Sequence, residues 1–465
     1  MDVAAQLTEL LGAAKVHTHP LDRLIYAKDS GVSSGDPAVV VLPETAEEVA
    51  AIMRTAKEAT MPVVARGAGT GLAGGAVPAP GSILVVLTRM NEIFQVDEIG
   101  LTAWVGPGLI NLDLSDALAP RGLHFAPDPA SQQASTIGGN VGTNAGGPHC
   151  LAEGSTIAHI LGVEIVTADG DVMVLGGAAP DLPGYDVRGL IVGSEGTLGI
   201  VTRVLVRLTE NPPDVVTMLI SFEDIGDAAR TVSDIIGSGL VPSALEMMDG
   251  PMIEAVENFV HAGLPVGAGA VLLAEVAGHA DGITAEAALI TQIAATNAAT
   301  EVRTASDEDE RALLWKGRKS AFGAIAQAAP DYYLNDTVVP RTRFVDVLDE
   351  IYAIADRHGI RLMNVFHAGD GNFHPLVSYD ASEPGMTERV VAASHEMVRV
   401  AIAAGGTLSG EHGIGIEKRD LMSEVFSVDD LDAQARIREA FDPEGLLNPG
   451  KVLPDGSRCF DRPAR

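Results

Sequence analysis

Two histidines close the stretch Asn364–Pro375, NVFHAGDGNFHP, in an arrangement that suits a metal ion. The lead-in Leu362-Met363-Asn364-Val365-Phe366 is mostly apolar and reads as a buried strand. Asp370-Gly371 is a strong hairpin signal, because both central residues of a tight primed turn take positive φ. A two-residue turn there puts Gly369 opposite Asn372, Ala368 opposite Phe373 and His367 opposite His374. Directly opposed residues share a face, with Cβ atoms roughly 4.5–5.5 Å apart. Two imidazoles so placed can hold one ion, and a third protein ligand leaves the open position of a catalytic site. The same spacing is equally read as a pair of ordinary strand histidines. Ser409–Gly415, SGEHGIG, weighs toward chemistry, since this glycine-flanked loop offers Glu411 as the third ligand and His412 as a base beside it.

A second chemistry is carried by main chain rather than side chains. Strand Pro62-Val63-Val64-Ala65 runs into Arg66-Gly67-Ala68-Gly69-Thr70-Gly71-Leu72-Ala73-Gly74-Gly75. Gly69, Gly71 and Gly74 match G-x-G-x-x-G, yet a dinucleotide turn needs a helix directly afterwards. Pro78, Pro80 and the strand Ser82–Leu87 follow instead. A backbone nest whose N–H groups can cradle a pyrophosphate is the better reading, with a merely flexible surface loop as the alternative. Further on, Phe125–Ser131 leads to Thr136–Gly147, a Gly/Asn/Thr-rich segment that cannot build a core and lines something polar. Ile160–Thr167 and Val172–Leu175 form a hairpin, and Gly193–Val201 opens a strand ending at Leu208.

Composition bounds what these groups serve. A chain of 465 residues exceeds one ordinary core, so two or more domains are expected. A net charge of −32 argues against nucleic acid and anionic membranes, and means that an anionic substrate needs a locally basic pocket. Cys150 and Cys459 cannot make a disulfide framework. Asp2 and Glu9 sit where a signal peptide would be basic, and no apolar run reaches the ~18–20 residues of a membrane span. A soluble, cytoplasmic protein is expected.

The elements that must position the site follow in order. Met1–Gly12 reads as a helix, Val39–Leu42 as a strand, and the next helix starts at Thr45 with Glu48 as a capping box. Asn111–Ala119 is helical. After Asn211-Pro212-Pro213 the pattern becomes strand–helix–strand twice, Val215–Ser221, Ile225–Ser238, Ala244–Met248 and then Ala270–Val276, Ile283–Ala295, Glu301–Thr304. This predicts a largely antiparallel sheet with helices on one face. Glu308–Ala328 reads as one long helix and carries Lys316, Arg318 and Lys319. Phe344–His358 is an amphipathic helix, and Glu388–Ala404 another with Thr387 as N-cap.

Arg66–Gly75, Pro127–Gly147 and Ser194–Ile200 resemble the three FAD-contacting segments of the vanillyl-alcohol-oxidase/PCMH flavoproteins. Within that family the chain resembles glycolate oxidase FAD subunits, D-lactate dehydrogenases and D-2-hydroxyglutarate dehydrogenases. The resemblance implies an α+β fold: a PCMH-type FAD-binding domain of two α+β subdomains, a ferredoxin-like antiparallel cap, and a C-terminal helical segment returning to the FAD domain. The expected divisions are 1–36 (N-terminal helix and lead-in), 37–212 (FAD domain), 213–408 (cap with the hairpin), 409–455 (C-terminal segment) and 456–465 (frayed tail). It implies non-covalent FAD on Arg66, Gly67, Ala68, Gly69, Thr70, Gly71, Gly74, Pro127, Asp128, Thr136, Gly138, Gly139, Asn140, Gly142, Thr143, Asn144, Ala145, Glu195, Gly196, Ile200 and Asn448.

Arg318 matches the position where relatives place a substrate-binding arginine. Leu334 stands where the hydroxyglutarate-specific relatives have lysine, which favours a small monocarboxylate. The expected reaction is hydride transfer from the α-carbon of a small 2-hydroxy acid of the glycolate or D-lactate class to FAD. It uses His412 as base, Arg318 as carboxylate anchor, and a divalent metal on His367, His374 and Glu411. Zn²⁺ suits that donor set, with Mn²⁺ or Fe²⁺ as alternatives. The alternatives are a D-2-hydroxyglutarate dehydrogenase and the FAD subunit of a multi-subunit glycolate oxidase. A homodimer and a protein or quinone electron acceptor complete the expectation. A metal-dependent hydrolase would leave both glycine-rich segments without a purpose.

Overall fold

The computed structural model describes residues 2–179 and 183–455, so Cys459 and the expected tail 456–465 lie outside the described residues. The chain divides into two compact units, one of 1–146, 154–211 and 411–465, the other of 147–153 and 212–410.

The first unit holds two main sheets. In the four-stranded one, Val16–His17, Val39–Val41, Ile83–Val86 and Val63–Arg66 lie in that order. The two pairings among Val39–Val41, Ile83–Val86 and Val63–Arg66 are parallel, and their largely apolar, β-branched runs are those of strands buried on both faces. Helix Ala46–Ala59 covers one face with Val49, Ile52 and Met53. Thr45 accepts the Glu48 N–H as predicted, but the Glu48 carboxylate reaches back to the N–H of Glu44, one residue before the cap. The second sheet is antiparallel, ordered Ile93–Asp97, Thr102–Val105, Ile200–Arg207, Ile160–Val166 and Val172–Gly176. The C-terminal segment returns to the first sheet: Val63 N–H donates to Leu446 O and Asn448 N–H to Val63 O, at 2.8 and 2.7 Å.

The second unit is built on one antiparallel sheet ordered Glu301–Thr304, Asp214–Phe222, Ala270–Gly278, Ala244–Asp249, Arg361–His367, Asn372–Tyr379, Asp331–Leu334, with Thr337–Val338 pairing the Asn372 strand. Phe222, Phe344, Phe366 and Phe373 are fully buried in its core, packed with helices Ile225–Gly237 and Phe344–His358. Helix Gly250–Val260 follows strand Ala244–Asp249 directly. Asp249 caps it by accepting the Met252 N–H at 2.9 Å, and Pro251 sits in its first turn, where a missing N–H costs nothing.

Three local expectations change. Glu308–Ala328 is two helices, Glu308–Lys319 and Ala321–Ala328, broken at Ser320, whose N–H closes a tighter turn on Gly317 O. Side chains at Gly317 and Gly323 would press on Ala262 and Phe259, so these glycines let the pair approach the Gly250–Val260 segment closely. Thr387 is inside helix Met386–Ala403 rather than capping it; Gly385 precedes the helix at positive φ. Thr136–Gly147 contains a helix, Ile137–Thr143, with Thr136 accepting the Gly139 N–H.

The excursion Gly147–Glu153 belongs to the second unit and is anchored by Glu275. That carboxylate accepts from Thr217 Oγ1 (2.5 Å), Trp315 Nε1 (2.7 Å) and Arg311 (3.0 and 3.1 Å), with His149 Nε2 at 3.4 Å. Burial pushes its pKa up, but His149, Arg311 and Thr217 outweigh it and hold the carboxyl at about 2.

Candidate active site

In the first unit the loop after strand Val63–Arg66 presents main chain. Among the described residues, none of the N–H groups of Gly67, Ala68, Gly69, Thr70, Gly71 or Leu72 donates to a main-chain carbonyl. Side chains cannot replace these glycines freely. A Cβ at Gly67 would run into Thr136 Oγ1, and one at Gly75 would lie 2.5 Å from Glu195 Oε2. Gly142 is different, since a Cβ there would meet nothing within 4 Å, so its helix faces open space. Arg66 turns back into the unit, donating to Lys28 O at 2.7 Å beside the Tyr26 ring. Open N–H groups, a bare helix face and close-packed glycines fit a pyrophosphate and an extended ligand along the main chain.

Several residues expected on the cofactor do structural work. Asn140 Oδ1 accepts from Asn111 Nδ2 at 2.9 Å, while the same amide also donates to Pro127 O. Asn144, at φ 52, accepts the Ile157 N–H through Oδ1. Asn448 donates to Gly75 O and Glu195 O at 2.9 and 2.7 Å. Glu195 is buried, and its carboxylate takes the N–H groups of Ile414 (2.7 Å) and Gly415 (3.1 and 3.0 Å). Burial pushes it up in pKa against those donors and against Lys451. Lys451 has no local sequence signal for its role. It is buried, donates to Val77 O and Asn448 Oδ1, and burial lowers its ammonium to about 8 against the pull of Glu195 and Asp29. Glu411 and His412 begin the segment that Glu195 pins, with His412 Nε2 3.7 Å from Glu411 Oε1.

In the second unit the hairpin forms with a register different from the expected one. His367 pairs with Asn372, Phe366 with Phe373 and Val365 with His374, leaving a four-residue loop, 368–371. In that loop only Gly371 (φ 82) has positive φ, whereas a primed two-residue turn needs two such residues. The shift is an even number of residues, so each side chain keeps its face. The histidines are diagonal instead of opposed, and still meet edge to face with ring centroids 5.0 Å apart. Both are buried.

Two partners were beyond sequence reading. Glu246, directly across from His367 on strand Ala244–Asp249, has both carboxylate oxygens 2.9 Å from His367 Nδ1. It also pairs with Arg318 Nη2 at 2.5 Å. The charge of Arg318 is thus met inside the protein, with Phe366 O at 3.4 Å as a second acceptor; its Nε is buried without a partner. An ionised carboxylate only accepts, so Nδ1 of His367 carries the hydrogen and Nε2 keeps a lone pair for a metal. Such a nitrogen, with the His374 ring beside it, is a donor that suits a divalent ion. Asp336, fully buried, accepts from Ser409 Oγ at 2.7 Å and from the Gly410 N–H at 3.0 Å. Gly410 lies on Asn372, the residue opposite His367, and Glu411 is the next residue in the chain.

Two family models match the chain. Residues 37–176 match the FAD binding domain family and residues 211–452 the C-terminal domain of FAD linked oxidases. The chain is 45% identical over 462 residues to glycolate oxidase subunit GlcD of Escherichia coli, covering 98% of this chain and 93% of that protein. It is 34% identical over 418 residues to a D-lactate dehydrogenase of Archaeoglobus fulgidus, covering 89% and 91%. Among solved structures, p-cresol methylhydroxylase shares the fold at TM-score 0.83 and 18% identity, covering 97% of this chain and 96% of that one. The 4-ethylphenol oxidase of Gulosibacter chungangensis does so at 0.83 and 20%, covering 98% of each. The chain belongs to the FAD-linked oxidase family.

Proposed function

We propose that the protein oxidises a small 2-hydroxy acid of the glycolate or D-lactate class, with non-covalent FAD and a divalent metal. The observation that carries the reading is the buried His367–His374 pair, with His367 Nδ1 committed to Glu246. FAD held on the Arg66–Gly75 and Thr136–Ala145 segments supplies an acceptor for the α-hydrogen and its electron pair. A metal on His367, His374 and Glu411, Zn²⁺ by its donor set, supplies positive charge for the substrate's hydroxyl and carboxylate oxygens. His412 takes the hydroxyl proton. Arg318, whose buried Nε makes no hydrogen bond, is the anchor for the substrate carboxylate. Leu334, apolar and buried, gives a second carboxylate no partner, which favours monocarboxylates. The GlcD relative is named as a subunit. Partner subunits, an external electron acceptor, a homodimer and a cytoplasmic location belong to the same reading; no helix among the described residues is long and apolar enough to cross a membrane.

The test is a dye-linked assay of purified protein against glycolate, D-lactate, L-lactate and D-2-hydroxyglutarate. Turnover of a small monocarboxylate is expected. Preference for D-2-hydroxyglutarate would pass the reading to the dicarboxylate alternative, and no turnover with any of the four would overturn it.

A further inference from the structure

We infer that Glu246 is a positioning residue that selects the metal-binding tautomer of His367 against the opposing influence of Arg318. The inference rests on the metal reading above and deepens it.

Three groups converge in a dry space. Glu246 has no exposed side-chain surface, His367 is 5% exposed and Arg318 3%. Strand pairing sets the first contact, because Glu246 and His367 are direct partners across two antiparallel strands. The carboxylate therefore needs no loop to hold it at 2.9 Å from Nδ1. Arg318 arrives from helix Glu308–Lys319 and places Nη2 2.5 Å from Glu246 and 3.5 Å from the same Nδ1.

Glu246 and Arg318, both facing Nδ1, ask opposite things of the imidazole. A carboxylate only accepts, so it favours hydrogen on Nδ1 and a lone pair on Nε2. A guanidinium only donates, so left alone beside Nδ1 it favours the lone pair there and hydrogen on Nε2. A ring with hydrogen on Nε2 cannot ligate through that nitrogen. Glu246 wins because it is nearer to Nδ1, and because the Arg318 charge is already spent on it. Removing the carboxylate should do more than loosen a support. It should leave Arg318 free to turn His367 toward the wrong tautomer.

This predicts a sign that a structural role would not give. Glu246→Gln keeps the volume, but its oxygen is claimed by Arg318 and its NH₂ faces Nδ1. Zinc binding to the flavin-loaded protein, measured by competition with a chromophoric chelator, should weaken about 10–100-fold, as for other outer-shell partners. Flavin content should match wild type. The double variant Glu246→Gln/Arg318→Met frees the amide oxygen to accept from Nδ1–H, and should bind zinc more tightly than the single variant. A double variant weaker than the single would overturn the inference. So would a single variant within twofold of wild type in a series where His367→Ala loses zinc. Wild-type protein that binds no zinc in this assay would overturn the metal reading itself, and this inference with it. A variant-free arm is ¹⁵N NMR of histidines in the metal-free wild type: hydrogen on Nδ1 of His367 is expected, and hydrogen on Nε2 would overturn the tautomer assignment.

Discussion

The two units present polar groups in opposite ways. The first offers main chain, with a loop whose N–H groups are left open and glycines that let backbone come close. Its charged side chains, Glu195 and Lys451, are turned inward to brace the returning C-terminal segment. The second offers side chains from a rigid sheet, each with a fixed partner: His367 on Glu246, Glu246 on Arg318, Asp336 on Ser409 and Gly410. A large cofactor of varied chemistry is suited by many weak, adaptable backbone donors. A single ion or a small acid needs a few groups held without slack.

The contrast breaks most sharply at the histidines. His367→Ala and His374→Ala should each remove the metal and slow oxidation of substrate by about 10³-fold or more, the several kcal/mol a metal contributes. Flavin content should be unchanged, because the hairpin belongs to the side-chain unit. Metal analysis and absorbance on the same sample check both halves; joint loss of flavin and metal would merge the two units' roles. Arg318→Met comes next. Loss of a charge-assisted bond to the substrate carboxylate should lower kcat/KM by about 2–4 kcal/mol, tens- to several hundred-fold, mainly through KM. A change under about threefold in steady-state kinetics would leave Arg318 as a partner of Glu246 alone.

Gly71→Asp probes the backbone cradle. The position has no positive φ, and a Cβ there would meet only Asp29 Oδ2, at 3.8 Å, so the loop should keep its shape. The added carboxylate should weaken FAD by about tenfold or more through like-charge repulsion, while Gly71→Ala should not. Fluorescence of released flavin decides. The smallest effect concerns Glu275. Its folded pKa is depressed, so it adds stability above its ordinary value of 4.5, and that contribution is lost as pH falls toward about 2. Glu275→Gln should flatten the acid limb of unfolding in that window, read by circular dichroism, with flavin retained at neutral pH.

Much of this was legible because it is local. The glycine loop and the histidine hairpin each announce themselves within a dozen or so residues, and each strand–helix–strand repeat within one continuous run of chain. The hairpin survived a wrong turn type because a two-residue register shift keeps every side chain on its face. Glu246 was invisible because it is 121 residues from His367, and only sheet order brings them together. Lys451 and Val77 meet across 374 residues for the same reason. The Gly147–Glu153 excursion carries no local signal at all; its anchor, Glu275, lies far along the chain. Helix Ile137–Thr143 hid behind its glycines, whose low helix propensity is overridden by the Thr136 cap and the buried faces of Ile137 and Val141.

The central claim is that a 2-hydroxy acid reduces the flavin with His412 as the base, and anaerobic single-turnover mixing tests it most directly. Wild-type protein should lose its yellow flavin absorbance on mixing with glycolate or D-lactate. His412→Ala, with FAD and metal contents unchanged, should do so about 10²–10⁴-fold more slowly. Reduction in the variant within a few-fold of wild type, or no reduction of the wild type by any small 2-hydroxy acid, would contradict the account.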